Sequence, residues 1–381
     1  MITPLEVYGS KQSYFTGKLE SYLRYKDIPY DFVSLNPGSS KVLVAGTGVM
    51  QLPGVQLADG RWMTDSTPMI QWLESQYPDS PIMPADPATR FLALLLEDFA
   101  DEWLWRPAMH YRWSYLDARY VLGNRIGREI LGDTRLPKPA RRKALQRRQL
   151  GIFVRGDGIT DATTPHADEA YIRVLDMLQT ILDDRPFLLG GRPSIVDIGF
   201  MGPMFRHFSQ DPTPSYLMVE QAPAVWEWVA RMWNARCSRL GDAPLLAAAP
   251  DDWDPLLAES AVTHLEQLDA NAAAHTAGED RHDLAVQGVT YRDLPTSTYR
   301  VWCLEQLRAE FAALDSDAAT AVRSRLESVG AWEPLWRTED TRSGHDPRAE
   351  APFCHGVRVF PSEGGSMLPR LIERLRGSSN R

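Results

Sequence analysis

The chain has 381 residues, long enough for two or three domains and a sizeable core. Hydrophobic residues make up 44% and charged ones 24%, an ordinary balance for a globular protein, and the formal net charge of -9 argues against nucleic acid as a partner, since phosphate neutralisation needs a basic face. Three cysteines (Cys237, Cys303, Cys354) are too few and too far apart for a disulfide framework or a paired-cysteine metal site. No apolar run reaches the roughly 18 residues of a membrane span, and Met1 opens no signal peptide, so the expectation is a soluble, cytoplasmic protein without a membrane partner.

The first 84 residues alternate strand and helix. "LEVYG" (residues 5–9) is a strand, and the stretch from Phe15 to Lys26 places Leu19, Tyr22 and Leu23 at helical spacing. "YDFVSL" is a second strand, so the three elements make a βαβ unit with a parallel pair. Gly38 to Val49 reads as a Gly/Ser/Val-rich loop. "QLPGVQLADGRWMTDS" then reads as strand, Asp59-Gly60 turn and returning strand, and "STPMIQWLESQYP" as a helix with Pro68 in its first turn.

Pro78 to Pro87 holds four prolines in ten residues and cannot be helical, which makes it a linker. Beyond it the pattern is helical to about residue 247. A long aromatic-rich helix is expected to bend at Pro107. The basic run Leu136 to Gln149 reads as a solvated helix face. In "GRPSIVD", Ser194 and Asp197 form a capping box that serves folding rather than chemistry. From about residue 251 the composition shifts to acidic and Ala-rich stretches, with helices expected in the middle and a polar, poorly ordered tail from about Arg337. His264, His275 and His282 match no zinc spacing, so no metal is expected. The segment "GVTYRDLPTSTYRVW", with Tyr291, Arg292, Asp293, Tyr299 and Arg300, reads as a strap across the helical section, or as a cover over a site mouth.

The turn between the first strand and helix carries Ser10, Ser13, Thr16, Gly17 and Lys18, a hydroxyl-rich helix N-terminus suited to an anion. A phosphate loop would need glycine at position 12 and Ser or Thr at 19, where the chain has Gln12 and Leu19. The order of βαβ unit, "QLPGV", hairpin, "TDS", proline linker and "GRPSIVDIGF" resembles the glutathione transferases over about residues 4 to 245. That resemblance implies a thioredoxin-like α/β domain (1–84), an all-helical acceptor-substrate domain (88–250) and an appended, mainly helical C-terminal section (251–381).

It also implies glutathione as cofactor. Leu52-Pro53 would be a cis dipeptide whose Leu52 backbone pairs with the cysteinyl part of glutathione. Asp65 and Ser66 would hold the γ-glutamyl group at a helix N-terminus, and Lys41 its glycyl carboxylate. Ser13 takes the place of the catalytic hydroxyl of serine-type members, with Tyr14 and Thr16 as alternatives. A hydroxyl donating to sulfur favours the thiolate over a thiol of ordinary pKa near 8.5. Trp105, His110, Tyr111 and Trp113 would wall the acceptor pocket, although an aromatic stripe at helical spacing also suits a core. The implied function is thiolate attack on an electrophilic, apolar or aromatic small molecule, in a homodimer serving detoxification. The alternatives are a glutathione-dependent isomerase, dehalogenase or lyase, and a non-catalytic binding module.

Overall fold

The computed structural model describes residues 4–132 and 135–345. Cys354 and the tail beyond residue 345, including most of the polar end expected from Arg337, lie outside the described residues. Strand β1 (Leu5–Gly9), helix α1 (Tyr14–Tyr25) and β2 (Tyr30–Ser34) form the expected βαβ unit, with Leu5 opposite Tyr30 and Gly9 opposite Ser34 in a parallel pair. Helix α2 (Pro37–Thr47) leads to β3 (Gly54–Gln56), β4 (Trp62–Thr64) and α3 (Ser66–Gln76). The sheet order is β2-β1-β3-β4, with β3 antiparallel to both neighbours.

The expected loop at 38–49 is corrected to helix α2. Asn36 Oδ1 accepts from Gly38 N at 2.8 Å and Ser39 N at 3.0 Å, and Asn36 N donates to Ser39 Oγ at 2.8 Å. Pro37 starts the helix, and Gly48 at φ +76° ends it. These end signals outweigh the weak helix propensity of the Gly and Ser between them.

Helices α4 (Pro87–Asp98), α5 (Trp105–Ser114), α6 (Leu116–Leu131), α7 (Lys138–Gln149), α8 (Thr164–Asp184), α9 (Ile195–Pro203), α10 (Pro212–Gln221), α11 (Pro223–Asn234) and the short α12 (Cys237–Leu240) make up the helical section. A π-helical turn, Phe99–Trp103, follows α4. The chain breaks there and at Leu104, and not by a bend at Pro107. Pro107 lies in the first turn of α5, where a missing N–H costs no helical bond. Helix α9 packs against α1 and α4, so one apolar core runs from Leu19 and Tyr22 through Leu95 and Phe99 to Ile198 and Trp228.

The appended section contains α13 (Asp254–Ser260), α14 (Glu266–Thr276), β5 (Arg281–Val286), β6 (Val289–Pro295), α15 (Thr298–Ala312), α16 (Ser316–Ser328) and α17 (Trp332–Trp336). It is mainly helical, with a β5–β6 hairpin closed by Gln287 and Gly288, both at positive φ. Helices α15 and α16 lie against α4.

Candidate functional site

Ser13 is the residue that starts α1. Its backbone is extended (φ -83°, ψ 133°), its N–H donates to Ser10 O at 3.0 Å, and its half-buried Oγ accepts from Thr16 N at 3.3 Å. The turn is clamped from two sides. Arg112 Nη1 donates to Gln12 O at 2.6 Å while its Nε holds Asp211 at 2.7 Å, and Ser10 Oγ donates to Glu129 at 2.9 Å.

The two alternative hydroxyls point elsewhere. Tyr14 is 1% exposed, its hydroxyl donates to the Ala100 carbonyl, and its ring packs edge-on against Trp105 and His207. Burial, with Asp101 and Glu102 adding to it, pushes its hydroxyl pKa well up. Thr16 is fully buried against Gly9, where an added Cβ would come within 2.5 Å of Thr16 Cγ2.

Leu52-Pro53 is cis, and half-buried Leu52 leads directly into β3. Asp65 precedes α3 at φ +71°, a conformation that costs a non-glycine residue energy, and its side chain caps nothing. Its carboxyl is pushed up to about 6 by burial, against the lowering effects of the Tyr299 hydroxyl that bonds to it and of Lys18. Ser66 is 3% exposed at the first position of the helix. Lys41 stands exposed on α2 rather than in a loop.

Beneath this surface, fully buried Lys18 bridges the sheet unit and the helical section. It pairs with Glu97 and Asp101 and donates to Thr67 Oγ1 at 2.8 Å. Burial alone would lower its pKa; the two carboxylates overcome that and raise it. The lysine that resembled a phosphate-loop residue is therefore an interior charge pair.

Of the four expected acceptor-wall residues, Trp105 packs against the first turn of α1. It stacks on Phe15 (ring centroids 5.7 Å apart, 13° between planes) and meets Phe153 edge-on, with Arg148 over Phe153. The other three point into the helical section. His110 Nε2 lies 3.0 Å from Asp168 Oδ1, which Tyr115 also bonds at 2.9 Å; Tyr111 donates to the Asp168 carbonyl at 3.3 Å; Trp113 is 1% exposed. Phe15 and Phe153 were not singled out by pattern. Phe15 lies two residues after Ser13, in the first turn of α1, while Phe153 carries no local signal.

Tyr299 was read as part of a strap. It lies in the first turn of α15, and its hydroxyl reaches the Asp65 carboxylate, while its neighbour Arg300 pairs with Glu102 at 3.4 Å. The appended section therefore covers the Asp65 end of the site. His264 is spent on Asp98 at 2.8 Å, and His282 lies 3.3 Å from Thr296 Oγ1. Among the described residues no helix is long and apolar enough to cross a membrane.

Residues 7–81 match the family model of the glutathione S-transferase N-terminal domain, and residues 161–231 that of the C-terminal domain. The chain carries both domains of the glutathione S-transferase family. Its fold is the family's thioredoxin-like domain with a small mixed sheet, followed by a mostly helical domain. Glutathione S-transferase U7 of Arabidopsis thaliana is 26% identical over 106 residues, which are 28% of this chain and 47% of that protein. The chain thus spans about half the length of this curated relative.

Among solved structures, poplar glutathione transferase F1 aligns at 15% identity and a TM-score of 0.38, covering 61% of this chain and 93% of that one. The β-etherase LigF from Sphingobium sp. strain SYK-6 aligns at 16% and 0.43, covering 60% and 95%. A glutathione S-transferase from Methylobacterium radiotolerans, solved with glutathione sulfonate, aligns at 20% and 0.38, covering 65% and 99%.

Proposed function

We propose that the protein is a glutathione-dependent transferase in which Ser13 holds the glutathione sulfur as a thiolate. The observation that carries the reading is the contrast among three hydroxyls. Ser13 Oγ is half-buried at the N-terminus of α1, while Tyr14 and Thr16 turn inward. A donor at that place lies where the helix dipole already favours negative charge.

The donor set suits the tripeptide. Leu52, just ahead of β3, would offer its backbone to the cysteinyl part, and Asp65 and the Ser66 helix N-terminus would offer groups of opposite preference to the γ-glutamyl ammonium and carboxylate. Lys41, exposed on α2, would meet the glycyl carboxylate. Trp105, Phe15 and Phe153 make the apolar side on which an aromatic or apolar electrophile would rest.

The reading includes a division into 1–84, 88–250 and 251–381, and a cytoplasmic homodimer active in detoxification; support for these is family likeness. Ser13→Ala tests the mechanism. Turnover with an aromatic electrophile should fall about a hundredfold, as for loss of one stabilising donor, with glutathione affinity changed far less. Unchanged thiolate absorbance of bound glutathione in the variant would move the role away from Ser13. Product mass separates the chemistry: a retained glutathione adduct supports a transferase, and an unmodified mass with regenerated glutathione an isomerase.

A further inference from the structure

Helices α6 and α7 enclose a cleft of about 210 Å³ lined by Asn124, Arg125 and Arg128 from one helix and Lys138, Arg141 and Arg142 from the other. Five cationic side chains thus face one space, and among the described residues no carboxylate lines it. Elsewhere in the chain, whose formal net charge is -9, several buried or half-buried arginines pair with carboxylates. Arg106 meets Asp157, Arg112 meets Asp211, Arg185 meets Asp252 and Arg325 meets Asp254. In the cleft the pattern reverses.

Two of the five are held in place by neutral groups. Arg141 Nη1 donates to Leu131 O at 3.2 Å and Gly132 O at 3.1 Å, and Arg142 lies over the Tyr120 ring at 4.5 Å. Those contacts fix the guanidinium groups without neutralising them. Arg125, Arg128 and Lys138 have no hydrogen-bond or ion-pair partner among the described residues. The carboxylate acting on Arg125 is that of Asp211, which is fully buried and already bonded to Arg112 at 2.7 Å.

Like charges gathered on facing helices repel one another, which destabilises the pair unless an anion sits between them. The concave shape concentrates that field at one point rather than spreading it along a face. Asn124 adds a different kind of group: its Nδ2 donates to Tyr120 O at 2.9 Å, leaving a buried Oδ1 without a donor. An acceptor among cations asks for a ligand that brings a hydroxyl as well as negative charge.

We propose that this cleft binds the charged head of a small organic phosphate bearing at least two negative charges and a hydroxyl nearby. The space is smaller than the roughly 300–1,000 Å³ of a pocket for a whole drug-sized ligand, so the remainder of the molecule lies outside it. Planar guanidinium groups pair with phosphate oxygens two at a time, and Lys138 adds a point charge. The net negative charge of the protein disfavours a nucleic acid or membrane surface as the ligand. The inference stands apart from the glutathione reading, since none of these residues belongs to that site.

The test is isothermal titration of the full chain with inorganic phosphate, pyrophosphate and ADP, repeated with the double variant Arg125→Ala/Arg128→Ala. Both replaced residues are exposed, and circular dichroism checks that the fold persists. Pyrophosphate and ADP should bind saturably, each at least about tenfold tighter than phosphate and weakened about tenfold or more in the variant. Affinity should also fall as salt rises from about 0.05 to 0.2 M, because exposed charges are screened. Tighter binding of ADP than of pyrophosphate would support an organic ligand contacting Asn124. Absence of saturable binding, equal affinity for all three anions, or no effect of the double variant would overturn the proposal.

Discussion

Asp65 combines two costs, a positive φ of 71° and a carboxyl whose pKa burial pushes up to about 6. In the unfolded chain the same group titrates near 3.8, so between those values the folded state holds the extra proton. Stability therefore falls as pH rises through this window, and the penalty is fully present above about pH 6. Asp65→Asn keeps the shape, tolerates the left-handed backbone and still accepts from Tyr299. Urea unfolding should find the variant more stable than the parent at neutral pH by about 1–3 kcal/mol. The gap should close below about pH 4, where both side chains are neutral. A variant weaker than the parent at neutral pH would mean that the charged carboxylate stabilises the fold. The same substitution removes the charge offered to the γ-glutamyl ammonium, so gain in stability and loss of glutathione affinity should appear together.

Among the elements, α9 shows how one side chain can organise a helix start. Asp197 accepts from Ser194 N at 2.9 Å, Ser194 Oγ at 2.8 Å, Leu188 N at 2.9 Å and Trp228 Nε1 at 3.0 Å. It joins the capping box to the preceding loop and to α11. Asp197→Ala would strand all four donors in the interior, costing about 3–5 kcal/mol by analogy with breaking a buried charged network. Thermal unfolding measures that loss. In whatever fraction remains folded, turnover per molecule should match the parent, since Asp197 touches no part of the proposed site. Reduced turnover at full folding would assign it a role beyond packing. The capping box was legible as S-x-x-D before an apolar run. Its bonds to Leu188 and Trp228 were not, because they reach beyond the helix start, to a loop residue and to a separate helix, which no local capping pattern specifies.

At the scale of the molecule, the appended section is built into the core that it covers. Trp253, Leu256, Leu257, Leu265 and Leu268 belong to the same buried cluster as the residues of α4 and α9. Arg300 pairs with buried Glu102, and His264 with Asp98. A chain ending at residue 250 would expose the apolar face of α4 and leave Glu102 buried without its cation. Such a truncation should lose cooperative thermal unfolding and aggregate, rather than behave as a two-domain transferase. A soluble, cooperatively folding 1–250 fragment with intact glutathione binding would show the section to be an independent appendage.

The Leu52-Pro53 and Asp65-Ser66 placements came from resemblance to the family. Local signals in the sequence sufficed for the strands, α1 and α3 of the first 84 residues, though not for α2, and for the proline linker and the α9 cap. Each depends on neighbours within a few positions, through backbone preference, hydrophobic period or a capping bond. Tertiary structure decided which hydroxyl of Ser13, Tyr14 and Thr16 stays free of the interior, and that Trp105, of the four aromatic candidates, packs on Tyr14 and Phe15 at the start of α1. It also decided that Tyr299 reaches Asp65 and that five cations of α6 and α7 share one cleft. Those outcomes depend on contacts between segments tens to hundreds of residues apart, and on burial that no single stretch of chain can set for itself.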